Sequence, residues 1–270
     1  MPICKLRKQE VPDLSSLRGI PLTQGEKRWE EQFYARLASL GEQEAFQTSF
    51  LDPLQYELAK RALGRLPHLS HLAFGGYPNA ERVRLAVFPA GWQGELPEVA
   101  FLRIEGKFLP GEPGHREVLG SILALGLRRE QVGDIILLPQ GGAAVAVMPA
   151  QADFICAQLL RVGSHPVSCL PAKPEELAFL VGEGKEINGT VASLRLDALL
   201  SLGFGISRSK AVPLIKSGLV RVNWREVTSP GSQLKAGDLI SLRGRGRLEV
   251  SAVEGETRKG RVRVRLKKFI

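Results

Sequence analysis

Apolar residues recur every three or four positions through the first third of the chain, which is the period of an amphipathic helix. We predict one helix over residues 25–41 and a second over 50–67. In the second, Asp52 can cap the first turn and Pro53 suits the first helical position. The apolar face of the first helix carries Trp29, Phe33, Leu37 and Leu40. The pattern therefore predicts a helical N-terminal region over residues 1–70.

From residue 71 the pattern changes to alternation of apolar and polar residues, which is typical of half-buried strands. Strands are predicted over 81–89, 98–106, both arms of 132–149, and 165–171. Gly141 and Gly142 make the turn of the hairpin. Helices are predicted over 115–127 and 150–163. Mixed helices and strands indicate a compact α+β domain over 71–180, and the middle of 171–189 is rich enough in Pro, Gly and acidic residues for a linker.

The last segment, 181–270, returns to short helices followed by hairpins. Leu196, Leu199 and Leu200 line one short helix, and Ser207 can cap the next, which Gly218 ends. Residues 220–223 then begin a strand, a turn is predicted at 235–238, and residues 243–270 form a final hairpin. The fold class predicted for the whole chain is therefore α+β, with this third domain built from two helices on a small sheet.

Positive charge is concentrated in that third domain. Residues 191–270 hold 17 of the 37 basic and 6 of the 28 acidic residues, a net charge of +11. The first 190 residues hold 20 basic and 22 acidic residues, a net charge of −2. A basic module on a near-neutral body favours a polyanionic partner for the module over a merely solvated surface.

Other features narrow the function classes. The longest apolar runs are too short for a membrane span, and the first residues lack the apolar core of a secretory signal. Three scattered cysteines without metal-ligand spacing suggest a reduced cytoplasmic protein with no metal and no cofactor. Arg208 and Lys210 stand in the first helical turn, where they oppose the helix dipole, so the sequence suggests another use for them.

Many positions in order resemble the RNA-binding domain named after ribosomal protein S-four (S4). The residues that carry the resemblance are Arg195-Leu196-Asp197, Ser207-Arg208-Ser209-Lys210-Ala211, Leu214-Ile215, Gly218, Val220, Val222-Asn223 and Gly237-Asp238. The resemblance implies that the second helix and its following loop hold structured RNA. Two positions depart from the pattern. Pro213 lies inside the second helix and should bend or tighten it, and Trp224 replaces the expected glycine, so an altered turn is expected.

Arginines alternate with apolar residues in the final hairpin. Arg261, Arg263 and Arg265 alternate with the apolar Val262, Val264 and Leu266. Arg243, Arg245 and Arg247 have the same spacing. Arginines lying side by side repel one another unless an anion neutralises them, so these two runs are predicted to extend the RNA surface. Trp224 either stacks on a base or packs on the sheet edge.

Signatures of RNA-modifying enzymes are weak. Pseudouridine synthases need a catalytic aspartate in a context that resembles Arg-Leu-Asp. The one Arg-Leu-Asp in this sequence, at 195–197, already belongs to the basic module. The glycines near the 103–120 stretch do not follow the GxGxxG spacing, which leaves no methyltransferase loop. His115 lacks a second titrating group nearby in sequence and is interpreted as a capping or surface residue. No catalytic residue is predicted.

Four further stretches are similar to the YlmH-like family of bacteria. They are residues 48–53, 74–85, 103–135 and 159–167. Residues 222–250 resemble the cyanobacterial and plastid branch, labelled photosystem II S-four domain protein. The resemblance implies an RRM-like middle domain, and ribosomal partners that include the large subunit and peptidyl-tRNA. The middle domain lacks the aromatic pattern of base-stacking RRMs and is expected to be a scaffold or to meet a protein.

The sequence thus predicts a non-catalytic protein that binds structured rRNA or tRNA on the ribosome. The residues predicted to contact RNA are Arg195, Ser207, Arg208, Ser209, Lys210, Lys216, Arg221, Asn223, Trp224, Arg225, Arg243, Arg245, Arg247, Arg261, Arg263 and Arg265. Two alternatives remain open: an RNA-modifying enzyme with a site in 71–180, and a regulator that recruits a division or photosynthetic protein through 71–180.

Overall fold

The computed structural model describes residues 22–41, 44–77, 80–109, 111–173 and 184–269. The chain forms two compact units, of which the first is described over 22–173 and the second over 184–269. The middle of the linker predicted within 171–189 lies outside the described residues. Each unit has its own apolar core.

The first unit begins with two capped helices on a small sheet. Helices α1 (Gln24–Ala38) and α2 (Pro53–Leu63) pack on strands β1 (Phe46–Gln47), β2 (Leu69–Phe74) and β3 (Arg84–Pro89), in the sheet order β1-β3-β2. The Asp52 carboxylate caps α2 by accepting the Gln55 backbone N–H at 2.8 Å, and Pro53 is its first residue, as predicted. The buried face of α2 is formed by Tyr56, Ala59 and Leu63.

The second sheet of this unit has the order β5-β6-β4-β8-β7 and is antiparallel. Its strands are β4 (Ala100–Gly106), β5 (Val132–Leu137), β6 (Ala143–Val147), β7 (Arg161–Val162) and β8 (His165–Ala172). Helices α3 (His115–Leu123) and α4 (Pro149–Gln158) cover one face through Val118, Ile122 and Ile155. The predicted glycine turn is present, because Gly141 and Gly142 both adopt positive φ.

A hydrogen-bonded carboxylate ties the loop after β2 to β5. Asp134 accepts the Tyr77 hydroxyl at 2.6 Å and the backbone N–H groups of Glu81 and Arg82 at 2.7 and 3.1 Å. The same loop needs glycine at Gly76, whose φ is +101° and whose added Cβ would lie 2.3 Å from the Phe101 ring. The loop therefore covers the face of the second sheet that α3 and α4 leave open.

The second unit is a six-stranded antiparallel sheet covered on one face by two helices. Helices α5 (Leu196–Phe204) and α6 (Arg208–Lys216) pack on a sheet of order β11-β10-β12-β13-β14-β9. Its strands are β9 (Lys185–Val191), β10 (Val220–Val222), β11 (Arg225–Glu226), β12 (Leu239–Leu242), β13 (Gly246–Glu256) and β14 (Val262–Phe269). The core between the layers includes Leu199, Ile215, Leu248 and Leu266, all fully buried.

The α+β fold class is confirmed, with N-terminal helices, a central sheet and a C-terminal domain with two helices. Strand β9 was not predicted, because the Pro- and Gly-rich composition around residues 171–189 pointed to a linker. It is held by long-range pairing with β14, from Val191 opposite Val262 to Lys185 opposite Lys268. No single helix among the described residues is long and apolar enough to cross a membrane; α5 and α6 reach that composition only as a pair bent by 118°.

Candidate RNA interface

The start of α6 is organised by its cap. Ser207 accepts the backbone N–H of Lys210 at 3.3 Å, and its hydroxyl lies 2.8 Å from that of Ser209. The helix continues through Pro213 to Lys216. Arg208, Ser209, Lys210 and Lys216 are all exposed, whereas Ala211 and Ile215 are buried in the core. The predicted cap and burial pattern of this helix are both present, and its cations face solvent.

Asp197, in the first turn of α5, holds two of the predicted RNA-binding arginines together. Arg195 donates from Nε to Oδ1 at 3.1 Å and from Nη2 to Oδ2 at 3.2 Å. Arg208 donates from Nη2 to the same Oδ2 at 2.6 Å. The carboxylate is almost fully buried, while the side chains of Arg195 and Arg208 are 40% and 52% exposed. No role was predicted for the Asp197 side chain; the signal in the sequence was an acid two residues after an arginine in a segment poor in acids.

Opposing effects set the pKa of Asp197. Burial raises the pKa. The hydrogen bonds and positive charges of Arg195 and Arg208 lower it by more than burial raises it, so the pKa lies below its ordinary value. The carboxylate therefore stays ionised at neutral pH. Its charge also offsets the unfavourable position of Arg208 at the positive end of α6.

We expect this ion-pair cluster to contribute to stability at neutral pH and not in strong acid. A carboxyl with a lowered pKa in the folded chain stabilises the fold above its unfolded pKa, about 3.9, and this stability is lost as pH falls through the folded value. The difference in melting temperature between the natural chain and Asp197→Asn should be largest near neutral pH and should shrink below about pH 4. Thermal unfolding across pH measures it; a difference that does not change with pH contradicts the assignment.

The turn between β10 and β11 is a regular two-residue turn, so the expected alteration at Trp224 is corrected. Asn223 and Trp224 have φ of 49° and 66°, and both positive values are what a type I′ hairpin turn requires. Asn223 makes this possible: its Nδ2 donates to Asp238 Oδ1 at 2.9 Å, and its Oδ1 accepts the Leu239 N–H at 2.9 Å. Asn223 is only 4% exposed, so the structure gives it a place inside the turn instead of on an RNA-facing surface.

The register of the sheet separates the arginines of the strands from those of the helices. Arg221 lies opposite Ser241, which lies opposite Arg247, and Arg265 lies opposite Ala252 and Asn188. These positions alternate with the buried Leu248, Val250, Val264 and Leu266, which face α5 and α6. Side chains directly opposite share a face, so Arg221, Arg247, Arg263 and Arg265 project from the face that the two helices do not cover.

Acidic residues interleave with the cations of this open face, which corrects the expectation of arginines lying side by side without counter-ions. Arg221 is directly opposite Glu226, and Lys267 lies between Glu249 and Glu186. Arg265 forms an ion pair with Glu254. Cross-strand pairs of opposite charge stabilise a sheet without any external anion. Burial and alternation do confirm the predicted final hairpin itself.

The remaining predicted arginines occupy turns and edges. Arg243 and Arg245 lie in the turn between β12 and β13, so only Arg247 of that run stands on a strand, and the alternation predicted for 243–247 is wrong. Arg261 donates to the Thr190 hydroxyl at 3.0 Å and to its carbonyl at 2.7 Å. Arg225, in edge strand β11, is opposite Val222 and so lies on the helix side of the sheet.

The structure thus brings together Arg195 and Arg208, with Lys210 and Lys216 on the same helix pair, and places the strand arginines on the other face. Within residues 184–269, this helix group has four cations and one carboxylate, Asp197, which binds two of them, Arg195 and Arg208. The open face has five cations and four carboxylates: Arg221, Arg247, Arg263, Arg265 and Lys267 against Glu186, Glu226, Glu249 and Glu254. The excess of positive charge is therefore greater on α5 and α6 than on the open face of the sheet.

On the sheet face of the middle domain opposite α3 and α4, the described aromatic rings of Tyr77 and Phe101 are buried. Phe101, on β4, is 3% exposed and lies under Tyr77, with ring centres 6.3 Å apart. Ala144 and Ala146 on the neighbouring strand are also buried.

Among the described residues, no group of three or more His, Cys, Asp or Glu side chains could hold a metal ion. Burial and the adjacent Cys156 raise the pKa of the Cys169 thiol to about 12, so it stays protonated at neutral pH.

Protein-family models match three successive parts of the chain. They describe the N-terminal domain of YlmH over residues 35–91, a candidate RNA-binding domain in YlmH over 98–176 and the S4 domain over 194–240. The ribosome-associated protein quality control protein P2 of Bacillus subtilis (strain 168) is 35% identical over 222 residues, which cover 80% of this chain and 84% of that protein. The chain belongs to the YlmH family.

Other relatives match in part. The small ribosomal subunit protein uS4 of Geobacter sp. (strain M21) is 41% identical over 71 residues, which cover 24% of this chain and 34% of that protein. The uS4 of Solidesulfovibrio magneticus is 40% identical over 63 residues, which cover 23% of this chain and 30% of that protein. The solved cell division protein ylmH from Streptococcus pneumoniae aligns with 58% of this chain and 96% of its own, at 21% identity and a TM-score of 0.49.

The S4 match covers only part of the second unit. The S4 domain, 194–240, includes α5, α6 and β10, and therefore all four cations of the helix group. Strands β9, β13 and β14, which carry most of the charge-balanced open face, lie outside that match. The relatives' names are those of ribosome-associated and ribosomal proteins, and two of the three matching family models describe an S4 domain and a candidate RNA-binding domain.

Proposed function

We propose that this YlmH-family chain binds structured ribosomal RNA through the exposed cations of α5 and α6, and that it catalyses no reaction. The observation that carries the proposal is the excess of positive charge on these two helices. Arg195 and Arg208 bind the buried Asp197, and Lys210 and Lys216 are exposed on α6, so the four cations and one carboxylate leave a net charge of +3. Folded RNA presents phosphates at a spacing that a short helix pair can meet.

The finer assignments rest on sequence resemblance. We propose that the RNA lies on the large ribosomal subunit, with tRNA as a further contact, and that the protein works in the cytoplasm during translation or ribosome quality control. Residues 222–250 favour membership of the cyanobacterial and plastid branch; its photosystem II label supplies no mechanism. Crosslinking the full chain to RNA in cells and sequencing the attached fragments tests these assignments. Fragments from large-subunit rRNA support the proposal, and fragments confined to small-subunit rRNA contradict it.

Salt dependence tests the electrostatic part of the proposal. If the four cations neutralise about three phosphates, the logarithm of the affinity should fall with the logarithm of salt concentration at a slope of about −2 to −3. Filter binding of the full chain to deproteinised ribosomal RNA at several salt concentrations measures the slope. A slope near zero contradicts a phosphate-binding interface.

Exposed apolar residues favour a second role for the first unit. Phe154 on α4 is 46% exposed, and Leu160, which follows this helix, is 68% exposed. Such residues are more common at protein contacts than on open surfaces when they lie close together. We propose that residues 71–180 meet a protein partner, such as a division or photosynthetic protein in the regulator hypothesis. Capture of a partner by the full chain that survives RNase but is abolished in Phe154→Asp with Leu160→Asp tests it.

A further inference from the structure

We propose that Asp197 is a positioning residue that holds Arg195 and Arg208 as a preformed clamp for one phosphate of the RNA backbone. This inference rests on the proposed function, because it concerns the same surface. It goes further in naming the phosphate diester as the group bound, and a carboxylate as the residue that shapes the site. Asp197 itself touches no RNA in this arrangement.

The carboxylate is fixed, and its partners are exposed. The Asp197 side chain is 4% exposed, and its backbone N–H donates to the Pro230 carbonyl at 3.1 Å. The neighbouring residue, Leu196, is fully buried in the core. Because α5 is packed at this point, the carboxylate cannot move to follow the arginines. The two guanidinium groups therefore take their positions from Asp197.

Both guanidinium groups keep donors for a ligand. A guanidinium has five N–H groups. Asp197 accepts two from Arg195 and one from Arg208, and both arginines donate to the same Oδ2. The two groups are thus neighbours, with the remaining N–H groups directed away from the shared oxygen. Planar guanidinium forks match phosphate oxygens, and two side by side can grip one phosphate.

Order in the free protein reduces the entropy cost of binding. An arginine side chain that moves freely loses rotamer entropy when a ligand fixes it. The bonds to Asp197 already restrict Arg195 and Arg208 before RNA arrives, so less entropy is lost when a phosphate binds. Loop 230–233 adds to this restriction, since an added Cβ on Gly231 would lie 3.3 Å from Arg195 Nη1.

Asp197→Asn separates positioning from simple charge, because the two predict effects of opposite sign. Removing the carboxylate raises the net charge of the cluster by one, so charge alone predicts tighter RNA binding. Loss of the clamp predicts weaker binding, by about tenfold, which is the equivalent of one charge-assisted hydrogen bond. The assay is filter binding of the full chain to deproteinised ribosomal RNA, at a temperature below the melting point of the variant. Equal or tighter binding by Asp197→Asn overturns the inference.

A charge-conserving variant covers the case in which Asp197→Asn does not fold. Arg208→Lys changes an exposed side chain and keeps its charge, but an ammonium cannot share the fork geometry. We expect it to weaken RNA binding several-fold, and unchanged affinity overturns the inference. In the Arg195→Ala, Arg208→Ala background, Asp197→Asn should no longer weaken RNA binding, since the groups it positions are absent and only the favourable charge effect remains.

The outcomes distinguish this inference from the proposed function. If Arg208→Ala with Lys210→Ala weakens RNA binding while Asp197→Asn and Arg208→Lys do not, the surface is correct and the clamp is wrong. If the double alanine variant binds RNA normally, the proposed surface itself is wrong. A weaker Asp197→Asn together with a weaker Arg208→Lys supports the clamp.

Discussion

Arg208→Ala combined with Lys210→Ala is expected to reduce RNA affinity by roughly 100-fold, since removing one charge-assisted hydrogen bond to a phosphate costs about 1.5 kcal/mol. The slope of log affinity against log salt should become shallower by about 1.5 to 2, because two phosphates are no longer neutralised. Both side chains are exposed and lie at the start of α6, so their removal leaves the core of the domain intact. Filter binding to deproteinised ribosomal RNA measures both quantities.

A matched control removes the same charge elsewhere in the unit. Arg258 and Lys259 are exposed in the turn between β13 and β14, and Arg258→Ala with Lys259→Ala lowers the net charge by the same two units. We expect affinity to fall by a few-fold at most, through the general field of the protein. Equal decreases in the two double variants would mean that net charge, and not the α6 surface, determines affinity. Unchanged binding in the Arg208, Lys210 variant contradicts the proposed interface.

Asn223→Ala should be the most destabilising single change considered for the second unit, at roughly 3–5 kcal/mol. Asn223 is buried, and its amide supplies two hydrogen bonds, one to Asp238 and one from the Leu239 N–H. In the alanine variant, the Leu239 N–H and Asp238 Oδ1 each lose the hydrogen bond that the Asn223 amide makes. Alanine also tolerates a φ of 49° less well than asparagine. The melting temperature of this unit should fall by more than about 10 °C.

Trp224→Gly is the control for the Asn223 prediction. Trp224 shares the turn and has a φ of 66°, a conformation that glycine adopts without strain. This release of strain offsets part of the side-chain interactions that are lost, so the variant should be destabilised less than Asn223→Ala. Calorimetry of the full chain, in which the two units are followed separately, measures both changes. A melting temperature for Asn223→Ala within about 2 °C of the natural chain would show that the amide network is not what holds the turn.

Local chemistry explains which parts of the fold the sequence predicts well. The cap of α2 by Asp52 and Pro53, the cap of α6 by Ser207, and the glycine turn at Gly141 and Gly142 all depend on residues within four positions of one another. Burial of alternate residues in β14 follows from side-chain period alone. These features needed no knowledge of the partner elements.

Long-range contacts explain the features that the sequence did not predict. Strand β9 is polar by composition and exists because β14 pairs with it along its whole length. The role of Asp197 depends on Arg208, eleven residues away on another helix. Asn223 matched an RNA-binding motif, yet its amide is used by Asp238 and Leu239 across the turn. In each case the partner is distant in sequence, and no local pattern identifies it.

By itself, the sequence determined the helices and hairpins of the basic module and the concentration of cations in its last 80 residues, because period, caps and charge counts are properties of the chain alone. Only the tertiary structure decided how those cations are divided between the two sides of a sheet. The register of six strands placed carboxylates beside the strand arginines, whereas the packing of α5 against α6 brought Arg195 and Arg208 together on a single buried acid. That division exists only once distant strands are paired, since a shift of one residue in register would move each strand side chain to the opposite face.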